Sequence, residues 1–448
     1  MTRASHTTFR KSWCRIASIV SACVCSLTLL TGCSIGAPAQ RAGSSANELT
    51  VWIMQDDLSQ QTIDAINTKF THTTGAKVNV QIQPWDGIAT KLTTALATGN
   101  PPDVIDVGNT KIADFAANGG LLDLSSFTQT LANGNHWIPG LADSAQFDGN
   151  TYGVPAFGAT RAVIVNKAMW QQAGITAMPR TFSELTEDLR TVQRQFGNSS
   201  SFCPFYLPGR NWFAGLQFVW GAGGNAAVRD GMHWQASMSS KASEQGLEQW
   251  KAFQNEFSSV ASRAAETNNP DMAQIFAQGK TSAIMWNSAT VSKILSISET
   301  LKPEDIATFP MPNVSGGVQP SVMAGSVWAI PAHSNHASLA MKWIESATND
   351  EIQRKWIVNH DGWLPNSEEL LHEFLNGKDL SPIQRGFFEA AEHSQAVPAV
   401  VGWSTLEGDG SLKNLFATVA EGKSSIAQAA ASFDATANAV FSKNEGLA

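Results

Sequence analysis

Cysteine is almost missing once the first thirty-three residues are set aside. Cys14, Cys23, Cys25 and Cys33 fall in that leader, and Cys203 is alone in the rest of the chain. A body with one thiol cannot form an internal disulfide, which excludes a disulfide-stapled scaffold. Phe202, Pro204 and Phe205 flank Cys203 and mark it as a small buried apolar residue, not a nucleophile. Tyrosine is scarce too, at 2 residues against 15 Trp and 22 Phe. No serine-hydrolase elbow of the G-x-S-x-G type occurs. Basic charge is also short: Arg3, Arg10, Lys11 and Arg15 belong to residues 1–32, which hold no acid, leaving 26 basic against 38 acidic side chains. A nucleic-acid backbone needs a basic patch, so an acidic body excludes that partner. The acids are spread and serve solubility.

What is present is a large apolar fraction, 43% of 448 residues, enough for two to three domains at roughly 150 residues each. Behind the basic leader, Ile16–Leu30 is a fifteen-residue run of apolar and small residues. A membrane-spanning helix needs about 20, so the run reads as the core of an export signal. It ends in Leu30-Thr31-Gly32-Cys33, which resembles the bacterial lipobox. That resemblance implies cleavage before Cys33 and lipidation of its sulfur, and two acyl chains anchor a protein stably where one is marginal. Residues 33–47, rich in Ser, Gly, Ala and Pro, read as lipidated cysteine plus flexible tether.

From Leu49 the pattern alternates. Leu49–Met54 is a short apolar strand. Ile63, Ile66 and Phe70 share a helix face that stops at Thr74-Gly75. Val78, Val80 and Ile82 alternate as a strand; Ile88, Leu92 and Leu96 are helical; Val104-Ile105 is a strand; Ile112 and Phe115 open a helix that ends at Gly119-Gly120. Strand–helix repetition predicts mostly parallel sheets with covered faces. Ala162–Val165 reads as a strand buried on both faces, and Phe182, Leu185, Leu189, Val192 and Phe196 as an amphipathic helix. Trp250, Trp343 and Trp356 lie on helical patterns and are expected in the core. The C-terminal part is helix-rich. About 400 residues of this pattern exceed one core, so two domains are expected.

Five stretches in order carry a family resemblance: Leu49-Thr50-Val51-Trp52; Phe70–Val80; Lys91–Leu122 (KLTTALATGNPPDVIDVGNTKIADFAANGGLL); Thr151–Asn166 (TYGVPAFGATRAVIVN); and Met323–Pro331 (MAGSVWAIP). Together they are similar to the family 1 extracellular solute-binding proteins of carbohydrate ABC importers, the maltose-binding-protein-like class. The resemblance implies an α/β, two-lobed periplasmic-binding-protein fold of type II, each lobe a mostly parallel sheet flanked by helices, with the ligand cleft between lobes. It places residues 48–157 plus 326–365 in the first lobe and 158–325 plus 366–448 in the second. The implied partners are an oligosaccharide, the permease subunits of an ABC transporter, and the membrane through Cys33. A monomer without cofactor, metal or catalysis is expected on the extracytoplasmic face.

A sugar offers an apolar C–H face and a rim of hydroxyls. Trp rings supply stacking area, and amides, carboxylates and Arg supply paired hydrogen bonds. Such groups belong on loops at strand ends. The candidates are Gln55 and Asp56 after the first strand, Trp85 and Asp86 after the second, and Asn109 and Thr110 after the third. Arg161 follows the crossing. The resemblance adds Trp212, Asn287, Ser288, Gly325, Ser326, Trp363 and Trp403. Each has a plainer reading: helix caps for Asp56 and Asn109-Thr110, an ion pair for Arg161, core packing for the tryptophans.

Other readings start from the same residues. A polyol, glycerol phosphate or peptide-like solute would use the same fold, but a phosphate favours an Arg/Lys cluster that these loops lack. A surface-anchored glycosidase needs two carboxylates about 5 to 9.5 Å apart, and no local signature pairs them. Gly221–Ala226 imitates a dinucleotide fingerprint yet reads as a Gly-rich turn. His333 and His336 form an H-x-x-H with no third ligand in view.

Overall fold

The computed structural model describes residues 47–231 and 233–444. The stretch expected to be an export signal, and Cys33, expected to be lipidated, lie outside the described residues. Among the described residues, no helix is long and apolar enough to cross a membrane.

The alternating pattern folds locally as its capping chemistry dictates. Strand β1 (Glu48–Met54) leads to helix α1 (Gln60–Thr74), whose N-cap Ser59 accepts the Thr62 N–H. Gly75 ends α1 at φ 72°, a left-handed conformation natural to glycine. Strand β2 (Lys77–Gln83), helix α2 (Ile88–Leu96), strand β3 (Val104–Gly108) and helix α3 (Ile112–Ala117) follow. β2 pairs with β1 in parallel over its whole length. It is an edge strand, so its alternating side chains are only partly covered: Ile82, expected inward, is 49% exposed.

The chain then runs through β4 (Val154–Ala159), β5 (Ala162–Asn166), α4 (Phe182–Phe196), β6 (Cys203–Phe205), α5 (Trp212–Gly221) and α6 (Lys241–Phe257). After these come β7 (Thr281–Trp286), β8 (Ile306–Phe309), β9 (Ser321–Val322), β10 (Ala324–Ala329), α7 (Ala337–Thr348), α8 (Trp403–Gly408), α9 (Ser411–Glu421) and α10 (Ile426–Asn444). Two main sheets result. The first has order β2-β1-β3-β10-β4, with β10 antiparallel to both neighbours; the second has order β8-β5-β7-β6, with β5 reversed. Each sheet therefore runs mostly one way around a single reversed strand.

Side-chain parity builds a core on each face of each sheet. In the first, Leu49, Val51 and Ile53 pack with Phe70, Trp328 and Trp343, while Ile105 and Val107 face Leu92, Leu96 and Phe115. In the second, Val163 and Val165 join Phe205, Trp250 and the α9 and α10 residues Leu412, Val419, Ala430 and Phe433; Ala162 and Ile164 face Phe276 and Ile294. Trp250 and Trp343 are fully buried as expected, whereas Trp356 is half-buried beside His360. Cys203 is buried, and desolvation pushes its thiol up to about 11, the opposite of what a nucleophile needs.

Three chain segments cross between the two lobes at one place. β4 passes into β5 through Thr160-Arg161. β9 and β10 return beside it. Leu364 exchanges backbone hydrogen bonds with Gly158 at 2.9 and 3.1 Å. The crossing is tight: a Cβ on Gly325, at φ 155°, would stand 2.2 Å from the Phe157 carbonyl oxygen. Gly325→Ala should therefore cost about 1–3 kcal/mol of stability, the usual range for overpacking. Urea unfolding checks it through a lower midpoint at unchanged slope; an unaltered midpoint would show that the crossing yields freely.

Candidate functional site

A cavity of about 420 Å³ opens between the lobes beside the crossing, a volume typical of small-molecule sites. It lies at the carboxyl ends of β1, β2 and β3, where open α/β sheets present loops. The first lobe contributes Asp57, Trp85, Asn109, Thr110, Phe157, Ser326 and Trp363, and Ala159, Ala324 and Gly325 lie at the crossing. Trp212, Phe213, Asn287 and Glu407 come from the other side.

Aromatic rings make most of the wall. Trp85 rests on Gly108 with 46% of its surface exposed. Trp363 stacks on Phe157 with centroids 4.8 Å apart and donates its Nε1–H to the Asp57 carbonyl at 2.6 Å. Trp212 stacks on Phe213 at 3.8 Å. The polar groups are held in place. Ser326 Oγ donates to Asp57 Oδ2 at 2.8 Å, and Asn109 Nδ2 donates to the Met323 carbonyl at 3.1 Å. Glu407 accepts from Thr110 Oγ1 at 3.0 Å and from Trp403 Nε1 at 3.1 Å.

The electrostatics are those of desolvated carboxyls, with Lys111 and Arg161 acting on Glu407 from outside the wall. No Lys, Arg or His lines the cavity among the described residues. Asp106, fully buried on β3, lies behind Asp57; its Oδ2 accepts the Met54 N–H at 3.1 Å. Burial, then the Asp106 charge, raises Asp57 to about 8. Burial raises Asp106 to about 6. Burial likewise raises Glu407, with Lys111 acting against it. On the cleft flank, Asp114 on α3 accepts the Gly402 N–H at 2.7 Å and the Ser404 hydroxyl. Arg229 pairs with Asp148 at 2.6 Å. The two sides thus touch directly as well as across the cavity.

Of the sequence candidates, Trp85, Asn109, Thr110, Trp212, Asn287, Gly325, Ser326 and Trp363 meet in this cavity. Gln55, Asp56, Asp86 and Ser288 do not line it; the first three are exposed and Ser288 is half-buried at the start of a helix. At the end of β1 the chain turns at Asp56, φ 67°, and the inward carboxyl is that of Asp57. Neither Asp56 nor Asn109 caps a helix; Ser59 takes that role for α1, and Asn109 opens a short 3-10 turn. Arg161 is 5% exposed and sits behind Phe213; among the described residues it makes no contact ion pair, and Glu407 acts on it only through space. Trp403 is 1% exposed, edge-on to Trp212 at 6.5 Å, so its ring forms no part of the cavity wall.

Six lining residues escaped the sequence reading: Asp57, Phe157, Ala159, Phe213, Ala324 and Glu407. Two had a signal. Phe213 is adjacent to Trp212, and Glu407 is one helical turn beyond Trp403, where i and i+4 share a face. The Gly221–Ala226 stretch follows α5 as a turn, and His336 Nδ1 lies 3.1 Å from Asp103, a helix-entry contact.

Comparison with known proteins adds the ancestry. A family profile described as bacterial extracellular solute-binding protein matches residues 56–354. The diacetylchitobiose-binding protein DasA of Streptomyces coelicolor is 32% identical over 394 residues, covering 87% of this chain and 89% of DasA. The maltodextrin-binding protein MdxE of Bacillus subtilis is 23% identical over 340 residues, covering 72% of this chain and 74% of its own. Among solved structures, the sugar-binding protein MalE of Xanthomonas citri superposes with TM-score 0.78 at 19% identity, covering 89% of this chain and 98% of that one.

Proposed function

The chain belongs to the bacterial extracellular solute-binding proteins, and from that premise we propose that it captures an oligosaccharide and delivers it to an ABC importer. The observation that carries this is the cavity wall: Trp85, Phe157 and Trp363 from one lobe oppose Trp212 and Phe213 from the other, with fixed hydroxyl, amide and carboxyl groups between them. Stacking faces plus oriented hydrogen-bonding groups suit a neutral sugar. The absence of a basic side chain among the described lining residues disfavours glycerol phosphate.

The lobes, residues 48–157 with 326–365 and 158–325 with 366–448, rotate about the crossing at Gly158, Gly325 and Leu364. A sugar that touches both stabilises the closed form, and a permease reads the two lobes together. Cys33 carries the acyl chains that hold the monomer at the extracytoplasmic membrane face. The protein performs no chemistry on the sugar. What supports this is the family match to solute-binding proteins; of the carboxyls here, Asp57 and Asp106 lie on one side, and Glu407, on the other, is held by Thr110 and Trp403.

Titration calorimetry against neutral di- to penta-saccharides, including diacetylchitobiose and maltotetraose, tests the reading. No heat from any of them sinks it, and turnover of sugar by the purified protein overturns the non-catalytic part. Trp85→Ala should weaken binding 10- to 100-fold, the about 1–3 kcal/mol of a stacked ring. Because Trp85 is exposed, the melting temperature should stay where it was, so affinity alone reports the contact.

A further inference from the structure

Arg161 is the one Lys or Arg among the described residues that is buried. It lies in the two-residue link between β4 and β5, is 5% exposed, and forms no salt bridge with any described residue. Its Nη1 donates one long hydrogen bond, 3.4 Å, to the Val322 carbonyl on β9, and its Nε has no hydrogen-bond partner among the described residues. Its backbone N–H donates to Ser321 Oγ at 3.1 Å, and Ser321 Oγ donates back to the Arg161 carbonyl at 3.2 Å. The residue therefore ties two crossing segments together by its main chain. Its guanidinium is spent differently: Cζ stands 3.8 Å from the centroid of the Phe213 ring and 5.4 Å from that of Trp286.

Those rings lead straight to the cavity. Phe213 lines it and stacks on Trp212; Trp286 meets Phe213 edge-on at 5.5 Å and is followed by Asn287, another lining residue. A planar cation against an aromatic face holds the ring in plane and position. The Glu407 carboxylate acts on the guanidinium through space, but no contact ion pair and only one long hydrogen bond hold it among the described residues, so the aromatic faces are its nearest partners.

We propose that Arg161 is the positioning residue of the cleft, a hinge-borne guanidinium that, with Trp286 beside it, fixes the Phe213–Trp212 stack as the floor on which the ligand lies. It does so from behind the ring, without touching the ligand. This rests on the sugar-binding reading for its consequence, but not for its geometry, which belongs to the ligand-free molecule. Sites of this kind sacrifice some stability for a preorganised surface.

The experiment has a ligand-free arm and a binding arm on the full mature chain. In the first, the protein is labelled with 5-fluorotryptophan and the Trp212 and Trp286 fluorine resonances are assigned by Trp→Phe replacements. Arg161→Met should shift or broaden those two resonances while those of Trp250 and Trp343 stay put. Arg161→Lys, which keeps the charge but not the planar face, should move the same two resonances. Unmoved Trp212 and Trp286 signals overturn the proposal whatever the ligand. So does a large fall in melting temperature for Arg161→Met with Arg161→Lys behaving as wild type, because the arginine is then a structural charge.

In the second arm, diacetylchitobiose and maltotetraose are titrated into the wild type, Arg161→Met, Phe213→Leu and the double variant. Arg161→Met should lose about tenfold in affinity in the wild-type background and nothing further in the Phe213→Leu background, the signature of coupled neighbours. An equal loss in both backgrounds overturns the proposal. If the wild type binds neither sugar, the choice of ligand fails, and the fluorine arm still decides whether Arg161 sets the floor.

Discussion

Trp403→Ala is expected to destabilise the protein by about 3–5 kcal/mol, the range for emptying a buried tryptophan site. The ring is 1% exposed and belongs to the core that also holds Trp212, Leu406, Leu412 and Phe416. Its removal leaves a cavity beneath Trp212, its edge-on neighbour. It also removes the Nε1–H donated to Glu407 Oε1, so a buried carboxyl loses one of its two donors at further cost. The check is thermal or urea unfolding of the ligand-free chain, where the fall should be large. Any loss of sugar affinity should be secondary and should track Trp212 and Glu407. A variant that melts like the wild type yet binds weakly would put the ring back on the cavity wall.

The sequence reading pointed Trp403 the wrong way for a physical reason. The run VPAVVGW reads as a loop before an aromatic. In the structure Gly402 adopts φ 93° and caps α8, which turns residue 403 inward and carries residue 407, one turn on, to the cavity. A left-handed glycine reverses chain direction without leaving a periodicity to read. The same limit applies at Asp56–Asp57: strand β1 was plain from Leu49–Met54, but which of three consecutive polar residues faces in depends on the turn at Asp56. By contrast β3 and α1 were legible, because apolar spacing is a property of the local chain, whereas the crossing in Thr151–Asn166 came from the family resemblance and not from spacing. Arg161 was legible as special and not as hidden, since its burial is created by α5 and β7 folding over it from 50 and 120 residues away. Ile82 shows the converse: alternation is local, but an edge position in the sheet is not.

The Asp57–Asp106 pair should make stability fall as pH rises. In the unfolded chain both carboxyls titrate near ~3.9. In the folded protein burial, and for Asp57 also the Asp106 charge, holds the pair's protons longer, Asp106 to about 6 and Asp57 to about 8. The buried oxygen Asp106 Oδ1 has no hydrogen-bond partner among the described residues, which leaves an acceptor free beside the carboxyl that retains its proton. Because the folded values are raised, the folded state binds more protons than the unfolded one above pH 4. The contribution is complete below about pH 4, is lost as pH rises through the two folded values, and is exhausted above about 8. One proton corresponds to about 1.4 kcal/mol per pH unit, so even half of the full linkage leaves roughly 3 kcal/mol between pH 4 and 8. Asp57→Asn imitates the protonated acid: its amide nitrogen donates to Asp106 while its oxygen still accepts from Ser326. That variant should match the wild type near pH 4 and exceed it by about 3 kcal/mol at pH 8, measured as urea-unfolding free energy across a pH series. Parallel curves for the two proteins would mean that no proton is held between the carboxyls. Steeper acid denaturation of the wild type than of Asp57→Asn would reverse the sign and place an unseen cation beside them.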